Sequence, residues 1–266
     1  SPHGRLRGER GMSGKSAREE RREQRLQQES ETDRQDRRKR LLQVGSAVAF
    51  LAVIVVAVVI VVAATGGGSG GDVNLESVDL VKNELSGIPQ EGTVLGRPQA
   101  KVALYEYGDL QCPVCKSYSE EVIPELINSE VRGGAAKIEF RNFTIIGPES
   151  VPAGAAAIAA GMQGRGWNYI ELFYRNQGTE SSGYVTDEFM TEIAKGAGVP
   201  DIAKWNKDRK SSKVISEVEA TTAEAQKLGF NGTPSFAVEG PGTSGKETLG
   251  TPGSAESIEE SIEEAG

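Results

Sequence analysis

Cys112 and Cys115 are the only cysteines in the chain, and they stand three residues apart where a strand pattern gives way to a helical one. The run Val102-Ala103-Leu104-Tyr105-Glu106-Tyr107 leads in. Cys115, Tyr118, Val122 and Leu126 then recur at spacings of three and four. Residues i and i+3 share a helix face, so the two sulfurs lie side by side. Cys112 falls at the helix N-terminus, where unpaired N–H groups and the helix dipole favour a thiolate. Pro113 suits the first turn, because its φ is already helical and its missing N–H loses no partner there. The stripe buries Cys115 and leaves Cys112 at an exposed tip, so Cys112 is the expected attacking thiol and Cys115 the resolving one. Such a pair is a two-electron exchange device. A structural bridge closing so short a loop removes little chain entropy. A zinc site needs four ligands, and His3 is the one histidine.

Lys101 to Tyr107 is apolar on both faces, the mark of a strand central in its sheet. Glu106 shares a face with Val102 and Leu104. Held near the sheet centre, its carboxyl has a raised pKa and can relay a proton to the buried thiol; at a strand end it is solvated. Pro124 is expected to kink the helix. Lys137 to Arg141 alternates strictly and reads as a strand with one polar face, which makes the strand–helix–strand stretch a right-handed parallel unit.

Helical patterns follow at Val151–Met162, Trp167–Tyr174, Thr186–Lys195 and Ile202–Lys210, with no strand signal among them. They read as a small helical subdomain with Trp167, Phe173 and Tyr174 in its core. A helix over Val214–Leu228 carries Val214, Val218, Thr221, Ala225 and Leu228 inward. Pro234 then opens a strand over Ser235–Val238, a position where a cis bond is admissible. Glu247–Leu249 returns as a short strand. Ser254 caps a last helix with Ile258 and Ile262 facing in.

The N-terminal third differs in kind. Residues 1–40 carry thirteen Lys/Arg and eight Asp/Glu, a net of +5, which leaves −13 for the rest of a chain whose total is −8. The head reads as a solvated cytoplasmic tail; its acids offset its Arg runs, so no nucleic-acid partner is expected. Residues 47–64 are unbroken apolar, and with Leu41 to Ser46 they reach the roughly 20 residues that span hydrocarbon. A cleaved signal peptide is the alternative, but its apolar region is only about 7–15 residues. Arg37-Arg38-Lys39-Arg40 flanks one side and no Lys or Arg follows until Lys82, so the N-terminus is expected in the cytoplasm and the rest outside, where disulfides persist. The expected layout is a tail at 1–40, a single-pass membrane anchor at 41–64, a flexible linker at 65–95 with a short helix over Leu75 to Leu85 and an edge at Gly87 to Gly92, and a folded domain at 96–266 with a helical insertion at about 148–212.

Glu106, the run Asp109-Leu110-Gln111-Cys112-Pro113-Val114-Cys115-Lys116, the helical insert and Gly232-Thr233-Pro234-Ser235-Phe236 together resemble the DsbA-like branch of the thioredoxin-fold thiol:disulfide oxidoreductases, from about Gly87 to the C-terminus. The resemblance implies an α/β thioredoxin-like fold with an inserted helical subdomain, preceded by the transmembrane helix. It implies Cys112 as nucleophile, Cys115 as resolving thiol, Glu106 as the buried acid, and a cis Pro234 beside the sulfurs. Thr233 would offer its backbone to an incoming peptide, and Pro113 and Val114 join Thr233 and Pro234 as residues that meet substrate. No cofactor beyond the Cys112–Cys115 disulfide is implied. The implied partners are reduced exported proteins and a membrane reoxidase linked to quinone. The chain departs from the most oxidising members in having Pro-Val, not Pro-His, between the cysteines, which removes one stabiliser of the thiolate. A reductase or isomerase running in the opposite direction is the alternative enzyme. A non-catalytic redox-sensing or client-binding domain is the alternative of another class, although a short charged tail makes a poor output domain.

Overall fold

The computed structural model describes residues 75–266. The expected cytoplasmic tail, the transmembrane segment 41–64 and the start of the linker lie outside those residues. Among the described residues no helix is long and apolar enough to cross a membrane.

The sheet is built around β3, Val102–Gly108, all seven residues of which are buried. It runs parallel to β4, Ala136–Asn142, and antiparallel to β5, Ser235–Glu239. Two-residue strands β1, Gln90–Glu91, and β2, Val94–Leu95, extend the β4 side, and β6, Glu247–Gly250, the β5 side. The order is β1-β2-β4-β3-β5-β6. Alternation along β3 sends Val102, Leu104 and Glu106 to one face, and Ala103, Tyr105 and Tyr107 to the other. The first face meets Ile138 and Phe140 of β4 in the main core; the second packs on Phe230 and Ala225. On β4 the outer positions are half-buried, as its alternation requires, and Arg141 lies over the Tyr105 ring while pairing with Glu139 and Glu224.

Within the span expected as a flexible linker, 65–95, the short helix expected over Leu75 to Leu85 forms as α1, Val78–Glu84, and the β1–β2 hairpin that follows it lies outside that expectation. Leu95 pairs with Ile138 and is fully buried, and Val81 and Leu85 pack into the main core. Strands of two residues are too short to leave a periodic signal, so Gly87 to Gly92 reads from sequence as an edge although the folded unit continues across it.

Helix α2, Pro113–Glu121, ends where Pro124 denies the next turn an N–H, and α3, Ile123–Leu126, resumes with that proline in its first turn. A single π turn follows, Ile127–Val131, closed by Arg132 N–H to the Ile127 carbonyl at 2.9 Å. Between β4 and β5 come α4 (Ser150–Gly161), α5 (Gly166–Arg175), α6 (Asp187–Gly196), α7 (Ile202–Asp208) and α8 (Ser212–Lys227). The first four form the expected helical insertion on a thioredoxin-like core. Their aromatics are buried, with the Trp167 indole N–H bonded to the Thr93 carbonyl and that of Trp205 to the Ala156 carbonyl. Helix α4 lies against the sheet through small residues, and a Cβ at Gly154 would come within 2.4 Å of the Asn142 side chain. Helix α9, Ala255–Ala265, closes the unit with Ile258 and Ile262 inward and Ser254 as its cap.

Candidate active site

β3 delivers its last residues to the N-terminus of α2, and the turn between them is built by Asp109. Its buried carboxylate accepts the Gln111 N–H at 2.9 Å, the local bond that turns the chain, and then the N–H groups of Ile145 and Ile146 at 2.8 and 3.0 Å. The strand-to-helix turn and the loop after β4 are thereby held as one piece. Gln111 extends the clamp, donating to the Ser150 hydroxyl and accepting from the Ser181 N–H, each at 2.9 Å. Gln177 donates to the carbonyls of Leu110 and Cys112 at 2.7 and 3.2 Å.

Cys112 is the N-cap of α2, and its sulfur accepts the Cys115 N–H at 3.4 Å. Pro113 occupies the first turn. Both cysteines are free thiols. Cys112 is not at an exposed tip: only 4% of its surface is accessible. The helix pattern alone puts it outward, but the Thr233 loop comes across from the head of β5 and covers it, with the thiol donating to the Thr233 carbonyl at 3.3 Å. The exposed rim is instead Pro113 and Val114, the latter 48% accessible. The Thr233–Pro234 bond is cis. Pro234 is buried, and its carbonyl accepts from the Thr251 hydroxyl at 2.7 Å.

The electrostatics divide the two thiols. The Cys115 side chain, the Thr233 side chain and the N–H groups of Cys115 and Val114 stabilise the Cys112 thiolate, and against the opposing effect of burial they bring its pKa down to about 6. Cys115 sits deeper, and burial, then the neighbouring Cys112 and the Glu106 charge, push it well above the ordinary thiol range. Glu106 is 1% accessible, and burial followed by the Cys112 charge raises its carboxyl to about 8. One of its oxygens has no hydrogen-bond partner. The solvated alternative for Glu106 is thus ruled out by its place in mid-sheet, opposite Phe140 and Phe236.

Glu106, Cys112, Cys115 and Thr233 come together in one site, with Pro234 behind Thr233 and Pro113 and Val114 at the rim. Sequence reasoning gave no role to Asp109, Gln111 or Gln177. An Asp between a strand and a helix is a turn signal that points to the first; the partners of the two glutamines are 39 to 70 residues away and leave no local trace. Among the described residues no His, Cys, Asp and Glu side chains converge as metal ligands.

A protein-family model described as thioredoxin matches residues 89–263. The chain is 31% identical over 150 residues to the probable disulfide bond formation protein D of Bacillus cereus, covering 55% of this chain and 69% of that protein. The crystal structure of oxidised BdbD from Bacillus subtilis superposes with a TM-score of 0.58 at 22% identity, over 67% of this chain and 97% of that one. A thioredoxin-like oxidoreductase from Silicibacter pomeroyi superposes with a TM-score of 0.53 at 27% identity, over 69% and 96%.

Proposed function

The chain belongs to the DsbA-like branch of the thioredoxin-fold thiol-disulfide oxidoreductases, and on that footing we propose that it introduces disulfides into exported proteins through Cys112 and Cys115, outside a membrane to which residues 41–64 tether it. A client thiolate attacks Sγ of Cys112 in the Cys112–Cys115 disulfide. The electron pair of the S–S bond leaves on Cys115, which takes up a proton, and client and Cys112 are joined as a mixed disulfide. A second client thiolate attacks the client's sulfur, Cys112 leaves as a thiolate, and the client departs with its disulfide. The enzyme now holds two electrons as a dithiol. A membrane partner passing electrons to quinone takes them back.

The observation that carries this direction is the inequality of the two thiols. A Cys112 with a pKa of about 6 is a stable thiolate at neutral pH and a good leaving group, which favours the reduced enzyme and hence oxidation of clients. Cys115, whose affinity for its proton is raised, is the sulfur that needs a proton when the disulfide opens, and Glu106 is the acid beside it. The Thr233 backbone borders the sulfur as an edge on which an extended client can lie, and Pro113 and Val114 give that client an apolar rim. Equilibration against glutathione tests the direction. A potential near about −120 mV fits an oxidant, and one near about −270 mV overturns the proposal in favour of a reductase.

A further inference from the structure

The segment between β6 and α9 touches the redox site from two sides and has no part in the chemistry above. β6 ends at Gly250, opposite Phe236, and its register with β5 slips by one residue between Phe236 and Ala237. Such a bulge bends the chain and re-aims the side chains that follow it. Gly250 has a φ of 70°, which completes the turn without the strain a side chain would bring. Thr251 and Pro252 therefore leave the sheet beside the loop that carries Thr233 and Pro234.

Two hydrogen bonds fix them there. The Thr251 hydroxyl donates to the Pro234 carbonyl at 2.7 Å. Proline has no N–H for ladder pairing, so beyond Ser235 the sheet cannot hold this chain by both backbone groups, and the Thr251 side chain supplies a tie to the carbonyl. On the other side, the Tyr118 hydroxyl donates to the Pro252 carbonyl. Tyr118 lies on α2 one turn beyond Cys115, and its ring stacks on Phe236 with centroids 5.8 Å apart. The contacts form a closed path. It runs from α2 through Tyr118 to Pro252, from Thr251 to Pro234, and from Thr233 back to α2, where the Cys112 thiol donates to the Thr233 carbonyl at 3.3 Å. Pro234 is buried, whereas Thr251 is exposed. An exposed threonine adds little to the core, yet this one holds the carbonyl one residue beyond the backbone on which a client lies.

We propose that Thr251 is a positioning residue for client binding: by holding the Pro234 carbonyl, with Pro252 tied to Tyr118, it fixes the spacing between the Thr233 edge and α2 into which a client's cysteine segment fits. The proposal rests on the oxidoreductase reading of Cys112 and Cys115 and adds a residue that acts through Thr233. The electron transfer is the exchange already described, with the client thiolate bonding to Sγ of Cys112 and the S–S electron pair leaving on Cys115. An extended peptide needs the edge for its backbone. Dithiothreitol has no backbone to lay on it, so loss of the tie weakens the peptide reaction and spares the small dithiol.

The test uses the full-length protein in its disulfide form. Its reduction in a single turnover is followed against the concentration of a dithiol peptide and, separately, of dithiothreitol. Thr251→Val keeps the branched shape and loses the donor. Its half-saturating peptide concentration should rise about fivefold, the scale of one hydrogen bond, while its dithiothreitol rate stays within about twofold of the parent's. Thr251→Ser keeps the hydroxyl and should restore the parent's peptide value. Losses that run in parallel for both reductants, or rates unchanged for both, would reduce Thr251 to a surface contact and overturn the proposal. A serine variant as weak as the valine one would overturn it too. If Thr251→Val does not fold, Tyr118→Phe decides in its place, since it keeps the ring on Phe236 and loses only the tie to Pro252. A loss confined to the peptide then supports the proposal, and a parallel loss or none overturns it. A parent protein that takes electrons from dithiothreitol but from no dithiol peptide would sink the client-oxidation reading itself, an outcome separate from any split among the variants.

Discussion

At the scale of single residues, the site is a device for keeping two like groups unlike. Cys112 and Cys115 share a helix and a chemistry, yet one is surrounded by donors at a helix N-terminus and the other by buried carbon and negative charge. The roles proposed for them separate cleanly under mutation. Cys112→Ser should abolish oxidation of a dithiol peptide. Cys115→Ser keeps the Cys112 thiolate, which should attack a disulfide-bonded client, releasing one client thiolate, and, with no internal resolving thiol, stay joined to the other sulfur, so that covalent client adducts accumulate on non-reducing gels; their absence would show the assignment of the two sulfurs to be wrong. The helix stripe made Cys115 legible as the inner thiol. It could not show that Cys112 is covered, because the cover comes from Thr233, 121 residues away.

At the scale of elements, β3 and the helix start that follows it hold the site in register. Leu104 is fully buried on the face that carries Glu106. Truncation there leaves a cavity among Ile138, Phe140 and their neighbours, so Leu104→Ala should destabilise the fold by about 2–5 kcal/mol, read from the urea midpoint at unchanged m-value. The strands that alternate or stay apolar over several residues, β3 and β4, were readable in advance, as were the long helices and the break at Pro124. The elements that were not readable are those whose signal is shorter than a period: β1, β2 and the π turn. Each is fixed by tertiary partners, Leu95 by Ile138 across the sheet for instance, and not by its own pattern. The polar clamps through Asp109, Gln111 and Gln177 were hidden for the same reason.

At the scale of the whole molecule, redox state and folding stability are one balance. The Cys112 pKa falls from an ordinary 9.0 to about 6 in the folded protein. A depressed pKa contributes stability that is fully present above the unfolded value and is lost as pH falls through the folded one. The melting temperature of the dithiol form, measured relative to the disulfide form, should therefore decline as pH drops from about 9 to about 6 in calorimetry; a difference that is constant across this window would show that Cys112 is not the thiolate in question. The same coupling of fold to chemistry is written into β3 in another way. Glu106 faces the thiols and Tyr107 faces Phe230 and Lys246 only because alternate residues take opposite sides of the strand. Losing or gaining one residue between Val102 and Gly108 would exchange them, setting a phenol behind the sulfurs and the carboxyl among aromatic rings. Length in this segment is as tightly bound as identity, and related chains that vary freely in their loops should keep this distance to the cysteines unchanged.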